Sequence, residues 1–284
     1  MTALSVTKKA SGLSVRRNTD PILVLLACAG LFLLLLAITG PYLAPYPPEQ
    51  TDILAASQGA STAHALGTDS LGRDILSRLL TGARLSFIGP LIIVTISTVC
   101  GTALAIAAAW KGGWLDQVID KSLNILFAIP GVLVAVLAAA IFGAGFWAPI
   151  CALSIVYIPF VAKVVRSYAL RERKRPYIEA YQLAGLSPWR ICTRHILGNV
   201  MPIVLAQATL GLGSALMDFG AINFLGLGVQ PPASEWGLMV SDGRSEILNG
   251  AFQQSLSAGT MIVISVVIFN LLGERLTARI GAAL

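Results

Sequence analysis

Few side chains in this 284-residue sequence have the type and spacing to do chemistry. The two histidines, His64 and His195, cannot build a histidine-rich metal cluster. Cys28, Cys100, Cys151 and Cys192 show no CxxC spacing, and three of them lie in apolar runs. They read as free, buried thiols rather than a disulfide or a metal site. Asp69, Arg73 and Asp74 can pair locally, but no nucleophile–base arrangement surrounds them, so they read as a solvated cap. Asp218 is the ionisable residue nearest the interior of an apolar run, which makes it a functional candidate by default. With Asn223 it is a candidate for a translocation path or gate. The competing reading is a cap at the outer end of a helix, because Gly220 and Asn223 signal that the helix is ending there. There is no GxxxxGKS/T phosphate loop, so the chain has no such site for ATP. Sequence signatures of metalloproteases and serine hydrolases, HExxH and GxSxG, are missing too.

The stretch from Tyr177 to Asn199, YIEAYQLAGLSPWRICTRHILGN, carries the clearest local design. Pro176 suits a first helical position, where its missing N–H has no partner to lose. Tyr177, Tyr181 and Ala184 recur at i, i+4 and i+7 and so share a helix face. Gly185 can take the left-handed conformation that ends a helix. Ser187 offers an N-cap oxygen, and Pro188 sits at the next first position. Trp189, Thr193 and Ile196 form a second face, with Arg190 and Arg194 beside it. Two short helices meeting at a sharp turn are expected, with Glu179, Ala180 and Leu186 on the same elbow. An elbow with an apolar face either docks on another protein or folds back on its own bundle.

The elements that must hold these residues are set by hydropathy. Hydrophobic residues make up 56% of the chain and charged ones only 12%, with mean hydropathy +0.77. Soluble domains carry about 25% charged residues, so an all-α integral membrane protein is expected. The net charge of +6 does not point to nucleic acid, because the positive charges sit in loops between apolar runs. Residues 1–20 read as a polar tail and 21–40 as a first, uncleaved span. Residues 41–83 read as a polar segment opened by Pro41, Pro45, Pro47 and Pro48. Further spans are expected at 85–109, 123–142 (kinked at Pro130-Gly131), 148–165, 200–217 and 259–273, with a polar turn at 111–121. Residues 218–258 suit a partly re-entrant or surface-lying segment.

Charge sets the orientation. With a cytoplasmic N-terminus, six spans put both termini inside, and inside segments hold 16 of the 20 Lys and Arg. Outside lie only Arg73, Arg78, Arg84 and Arg244. The elbow at 177–199 then faces the cytoplasm, where a soluble partner can reach it. The basic run from Arg171 to Arg175 serves as a topology determinant, with contact to anionic lipid as the alternative.

Glu179-Ala180, Gly185 and the run to Ile196-Leu197 resemble the EAA motif of permease subunits of bacterial ABC importers, with Tyr181 in place of the second alanine and Gly198 where proline is usual. The GTD…GRD string within His64–Arg84, the run NFLGLGVQPPASEWGLM from Asn223 to Met239 and FNLLGERL from Phe269 to Leu276 resemble signatures of the C-type permeases of dipeptide, oligopeptide and nickel importers. The resemblance implies a type I importer permease fold, similar to the methionine permease, with a core domain at 84–284. It implies that Tyr177, Glu179, Ala180, Tyr181, Gly185, Leu186, Arg190 and Arg194 couple to an ATPase. It also implies the partners: a second homologous permease, two ATP-binding subunits that carry ATP and Mg, and an extracytoplasmic solute-binding protein, all at the bacterial inner membrane. No cofactor is expected on this chain itself. Di- or oligopeptides are the implied cargo, and the Glu235-Trp236 pair keeps a nickel or metal-chelate cargo open. An ion-coupled secondary transporter is the competing class, but it usually needs ionisable groups at the bilayer midplane, and these spans have almost none.

Overall fold

The computed structural model describes residues 20–283, so the expected tail at 1–20 lies, but for Asp20, outside the described residues. Helix α1 (Pro21–Leu43) starts where Pro21 takes the first helical position and Asp20 accepts the Ile22 N–H at 3.1 Å. It runs three residues past the expected end and carries Pro41 in its last turns. A largely irregular connection follows, with one 3-10 turn at Ile53–Ala55. Helix α2 (Ile75–Lys111) begins well before the expected boundary at 83/84. Asp74 is its N-cap, accepting from the Ser77 N–H and hydroxyl at 2.7 Å each.

The expected polar turn at 111–121 is instead the amphipathic helix α3 (Gly113–Phe127). Helix α4 (Gly131–Phe142) follows, bent from α3 by 79°. Pro130 explains a break sharper than the kink expected, since it has no N–H to continue the ladder. Helix α5 (Trp147–Arg173) continues past Lys163 and Arg166 into the basic run. Arg166 clamps α3 to α5 with a two-pronged bond to Asp116 at 2.6 and 2.7 Å, and reaches Asp120 at 3.2 Å.

Helix α6 (Pro176–Leu183) is the first half of the elbow, as expected. The second half is not a separate short helix. The turn α7 (Pro188–Arg190) passes through a π-helical stretch, Ile191–Ile196, into α8 (Leu197–Phe224), giving one continuous helix of 37 residues. The fifth span therefore ends at Phe224 and not near Asp218. Short helices α9 (Trp236–Asp242) and α10 (Arg244–Ile247) fold back before α11 (Gln253–Ala283), which absorbs the expected sixth span and the tail after it. Among the described residues five helices are long and apolar enough to cross a membrane, and the α3–α4 pair makes a sixth if taken as one broken span.

The apolar residues divide into two clusters. One gathers Leu33, Phe87, Leu153, Phe219, Trp236 and Phe269 from α1, α2, α5, α8, α9 and α11. The other gathers Ala105, Val165, Ile178, Ile191, Ile196 and Ile203 around the elbow. Small residues let the helices approach closely. A Cβ at Gly101 on α2 would lie 3.0 Å from both the Ile158 carbonyl oxygen and the Val161 Cβ of α5. The cysteines are free, but Cys28, Cys100 and Cys151 are exposed on the outer helix faces rather than buried.

The Asp69 group is not a solvated cap. Asp69, Arg73, Asp74 and Arg78 are all buried, Arg78 with 0% exposure. Asp69 Oδ2 accepts from Arg73 Nε and Arg78 Nη1 at 2.6 Å each, and Oδ1 accepts from the Leu71 and Arg73 backbone N–H at 2.9 Å. Arg78 Nη2 also donates to Asp242 Oδ2 at 3.2 Å, across the chain. Next to this network the Glu235 side chain, also buried, caps α9 by accepting the Leu238 N–H at 2.9 Å and the Ser86 hydroxyl at 2.8 Å.

Two predictions follow from this end of the bundle. Arg78→Met takes one of four donors from Asp69 and the guanidinium partner from Asp242, and should cost about 1.5–3 kcal/mol; the thermal midpoint of the purified protein in detergent measures it, and an unchanged midpoint counts against the network's role. Burial pushes the Glu235 carboxyl from 4.5 up to about 7, against hydrogen bonds that favour the anion. The folded state therefore keeps this proton where the unfolded chain has lost it. That contribution is complete below pH 4.5 and disappears as pH rises through about 7. Glu235→Gln should remove this part of the pH dependence of the thermal midpoint between pH 5 and 8, and an unaltered slope would contradict the assignment.

Candidate functional site

Two places in the fold gather functional side chains: the elbow at one end of the bundle and a cavity between the spans.

The elbow is rooted firmly. Ile178 is 1% exposed and sits in the second cluster. Arg173 Nη1 donates to the Ala109 carbonyl at 2.7 Å, tying the approach to α6 to the end of α2. Glu172 collects the Tyr177 hydroxyl, the Asn199 amide at 2.7 Å and the Arg175 guanidinium at 3.1 Å. Burial, then this carboxylate, pushes the Tyr177 phenol up to about 12, so it stays a donor. Tyr181 stands edge-on to Tyr177 with ring centroids 5.5 Å apart, and its ring centroid is 4.2 Å from that of His195. Of the two readings of the elbow's apolar face, the two tyrosines follow the second and fold back on the bundle, where Glu172 and Asn199 offer polar partners that the local spacing does not reveal.

The turn itself matches expectation. Gly185 has φ +78°, the left-handed region, with open space around it. The Gly185 N–H bonds the Gln182 carbonyl at 3.0 Å and the Leu186 N–H bonds the Tyr181 carbonyl at 3.1 Å, the paired closure of a Schellman end. Ser187 Oγ accepts from the Arg190 N–H at 3.4 Å. Facing outward are Glu179, Ala180, Gln182, Leu183 and Ala184 on α6, then Trp189, Arg190, Thr193 and Arg194. Leu183 is 90% exposed and Trp189 78% exposed. Leu183 escaped sequence reasoning because it lies off the face counted from the tyrosines. Ile196, expected beside Trp189, is fully buried; the wider π turn rotates it inward. The arrangement can do protein docking: an apolar pair flanked by one carboxylate and two guanidinium groups.

The cavity has a volume of about 400 Å³ and lies between α2, the α3–α4 break, α5 and α8. Gln207, Gly211, Ser214 and Asp218 recur at i, i+4, i+7 and i+11 along α8, one face of a helix, and all line it. Asp218 is not a helix-end cap: α8 continues six residues beyond it, and its Oδ2 accepts the Tyr157 hydroxyl at 2.9 Å. Asn223 is separate from the cavity. It is fully buried, accepts the Val229 N–H at 2.6 Å and donates to the Phe219 carbonyl at 2.9 Å, so it fastens the turn after α8. The two residues grouped as one candidate gate therefore do different things.

Comparison with known proteins places this architecture. The family model described as binding-protein-dependent transport system inner membrane component matches residues 99–284. The glutathione transport system permease protein GsiD of Pectobacterium atrosepticum is 38% identical over 252 residues, covering 87% of this chain and 83% of that protein. The di/tripeptide transport system permease protein DppC of Pseudomonas aeruginosa is 38% identical over 255 residues, covering 87% and 84%. The probable D,D-dipeptide transport system permease protein DdpC of Escherichia coli is 35% identical over 255 residues, covering 90% and 85%. A chain solved in inward-facing conformations of the MetNI methionine ABC transporter matches with TM-score 0.57 at 20% identity, over 72% of this chain and 96% of its own length, which shows a shared fold. The chain belongs to the binding-protein-dependent transport system inner membrane components, the permease subunits of ABC importers.

Proposed function

We propose that this permease forms, with a second homologous permease, the path by which di- or oligopeptides cross the inner membrane. A solute-binding protein delivers the peptide to the outer face. Two partner subunits bind ATP and Mg, hydrolyse the nucleotide and engage the elbow at 177–199. Relatives named for dipeptide, di/tripeptide and glutathione transport favour peptide cargo over nickel or a metal chelate.

One observation carries the coupling reading: an exposed Leu183–Trp189 pair on a turn whose inner side is fixed by Ile178 and Glu172. Large apolar groups left outward on a rigid support mark a contact surface. Glu179, Arg190 and Arg194 supply the polar rim of that surface. The distribution of Lys and Arg supports a cytoplasmic elbow and cytoplasmic termini, which puts the surface within reach of soluble ATPases. Alternating access then works through differential affinity: closure of the ATPases on ATP favours one arrangement of the spans over the other.

The expected outcome of Glu179→Lys or Gly185→Asp is uptake reduced by at least about tenfold in vesicles holding the whole importer, with the permease still inserted in the membrane. Normal uptake in both variants refutes the coupling role. A Leu183→Asp variant that co-purifies its ATPases as well as the native chain does argues against the exposed pair as the docking face.

A further inference from the structure

The cavity between the spans lies apart from the elbow and its contacts. A carboxylate among membrane helices is costly unless something compensates it. Among the described residues Asp218 receives one donor, the Tyr157 hydroxyl, which occupies one of a carboxylate's roughly four acceptor sites. Its position is about 9 Å from the C-terminal end of α8, at 1.5 Å rise per residue. The same helix face offers Ser214 and Gln207 to the cavity. On the facing wall the Thr98 hydroxyl, buried and lining the cavity, has no hydrogen-bond partner among the described residues. Phe127 and Phe160, ring centroids 4.7 Å apart, form an apolar side. At about 400 Å³ the cavity is in the range of small-molecule sites, about 300–1,000 Å³.

We propose that Asp218, oriented by Tyr157, receives the ammonium group of the cargo peptide as it crosses the membrane. This rests on the peptide-transport reading above. The chemistry selects the ammonium. A carboxylate in a site of low dielectric attracts a cation and rejects the peptide's own carboxylate. A divalent metal wants several oxygen or nitrogen ligands, and the other groups on this face are one amide and one hydroxyl. A free peptide amine, with an ordinary pKa of about 7.7–8.0, is largely protonated at neutral pH whatever the side chains are. One anchor of this kind holds any short peptide by the feature all of them share, while Thr98, Ser214 and Gln207 can exchange hydrogen bonds with its backbone.

The test uses the whole importer, with its binding protein and ATPases, in vesicles, and dialanine as the probe. The permease has Cys28, Cys100, Cys151 and Cys192 replaced, and wild-type-like assembly is verified by co-purification of the complex. A lost charged hydrogen bond predicts that Asp218→Asn and Asp218→Cys cut dialanine uptake by about 10–100-fold, with Asp218→Glu retaining most of it. Treating Asp218→Cys with a thiosulfonate that attaches a sulfonate should then restore uptake, and one that attaches a trimethylammonium should not. A merely structural Tyr157–Asp218 contact would survive in Asp218→Asn, whose amide oxygen still accepts the Tyr157 hydroxyl, so the loss of uptake in Asp218→Asn is what separates the charge from the contact. Wild-type uptake by Asp218→Asn, equal rescue by both reagents, or rescue by neither overturns the proposal. If the cysteine-replaced importer with Asp218 intact moves no peptide at all, it is the transport reading beneath it that fails.

Discussion

The Asp69 carboxylate accepts four N–H donors, two from its own loop and two from guanidinium groups, and one end of the molecule is built around that saturation. Burying Arg78 completely is tolerable only because its charge is met on both sides, by Asp69 and by Asp242. Arg78, in the first turns of α2, thus joins Asp69 of the preceding connection to Asp242 at the end of α9, 164 residues on from Arg78. Trp236 then fits beside α2, its indole N–H on the Leu79 carbonyl at 2.9 Å and its backbone N–H on the Ser86 hydroxyl at 2.9 Å. The two strings that carry the strongest resemblance to the peptide permeases, one before α2 and one after α8, are therefore each other's structural partners. The ionic joint adds to the apolar burial of Trp236, Leu238 and Met239, which itself draws α9 out of solvent.

At the other end the organisation is apolar and is reinforced by ion pairs at its margin. The Arg166 clamp holds the amphipathic helix α3 along α5, and Lys163 lies 4.2 Å from the centre of the Phe127 ring at the close of α3. Together they fix the helix that leads into the 79° break, and that break lines the cavity. The cavity wall is thus set by charges lying outside it. The elbow shares this floor: Ile178 and Ile196 belong to the same apolar cluster as Val165 of α5.

What the sequence made legible was chiefly what local physics decides. Pro176, Gly185 and Ser187 each predicted the backbone role they play, because capping and left-handed turns depend on near neighbours. The apolar runs announced the spans for the same reason. Failures came where a distant partner decides. Asp69, Arg73 and Asp74 looked solvated because Asp242, which completes their network, lies far along the chain. The direction of Tyr177 stayed open because Asn199, 22 residues on, was not in view. Gly220 and Asn223 looked like the end of the fifth span, yet the helix runs through the first and stops just past the second. Asn223 does mark a turn, but it does so from inside the helix by reaching forward to the Val229 N–H.

The unbroken run from Pro188 to Phe224 has a mechanical consequence. At 1.5 Å per residue it is a rod of about 55 Å, with Trp189 at one tip and Asp218 close to the other. Moving as one body, it would be a lever with the elbow at one end and the cavity near the other. Tilting it by about 10° around its middle swings each end by about 5 Å in opposite directions, the span of roughly one helical turn. The π-helical stretch at Ile191–Ile196 sits near the handle, so any flexing there sets how much of a push at Trp189 reaches the cavity and how much is absorbed before it.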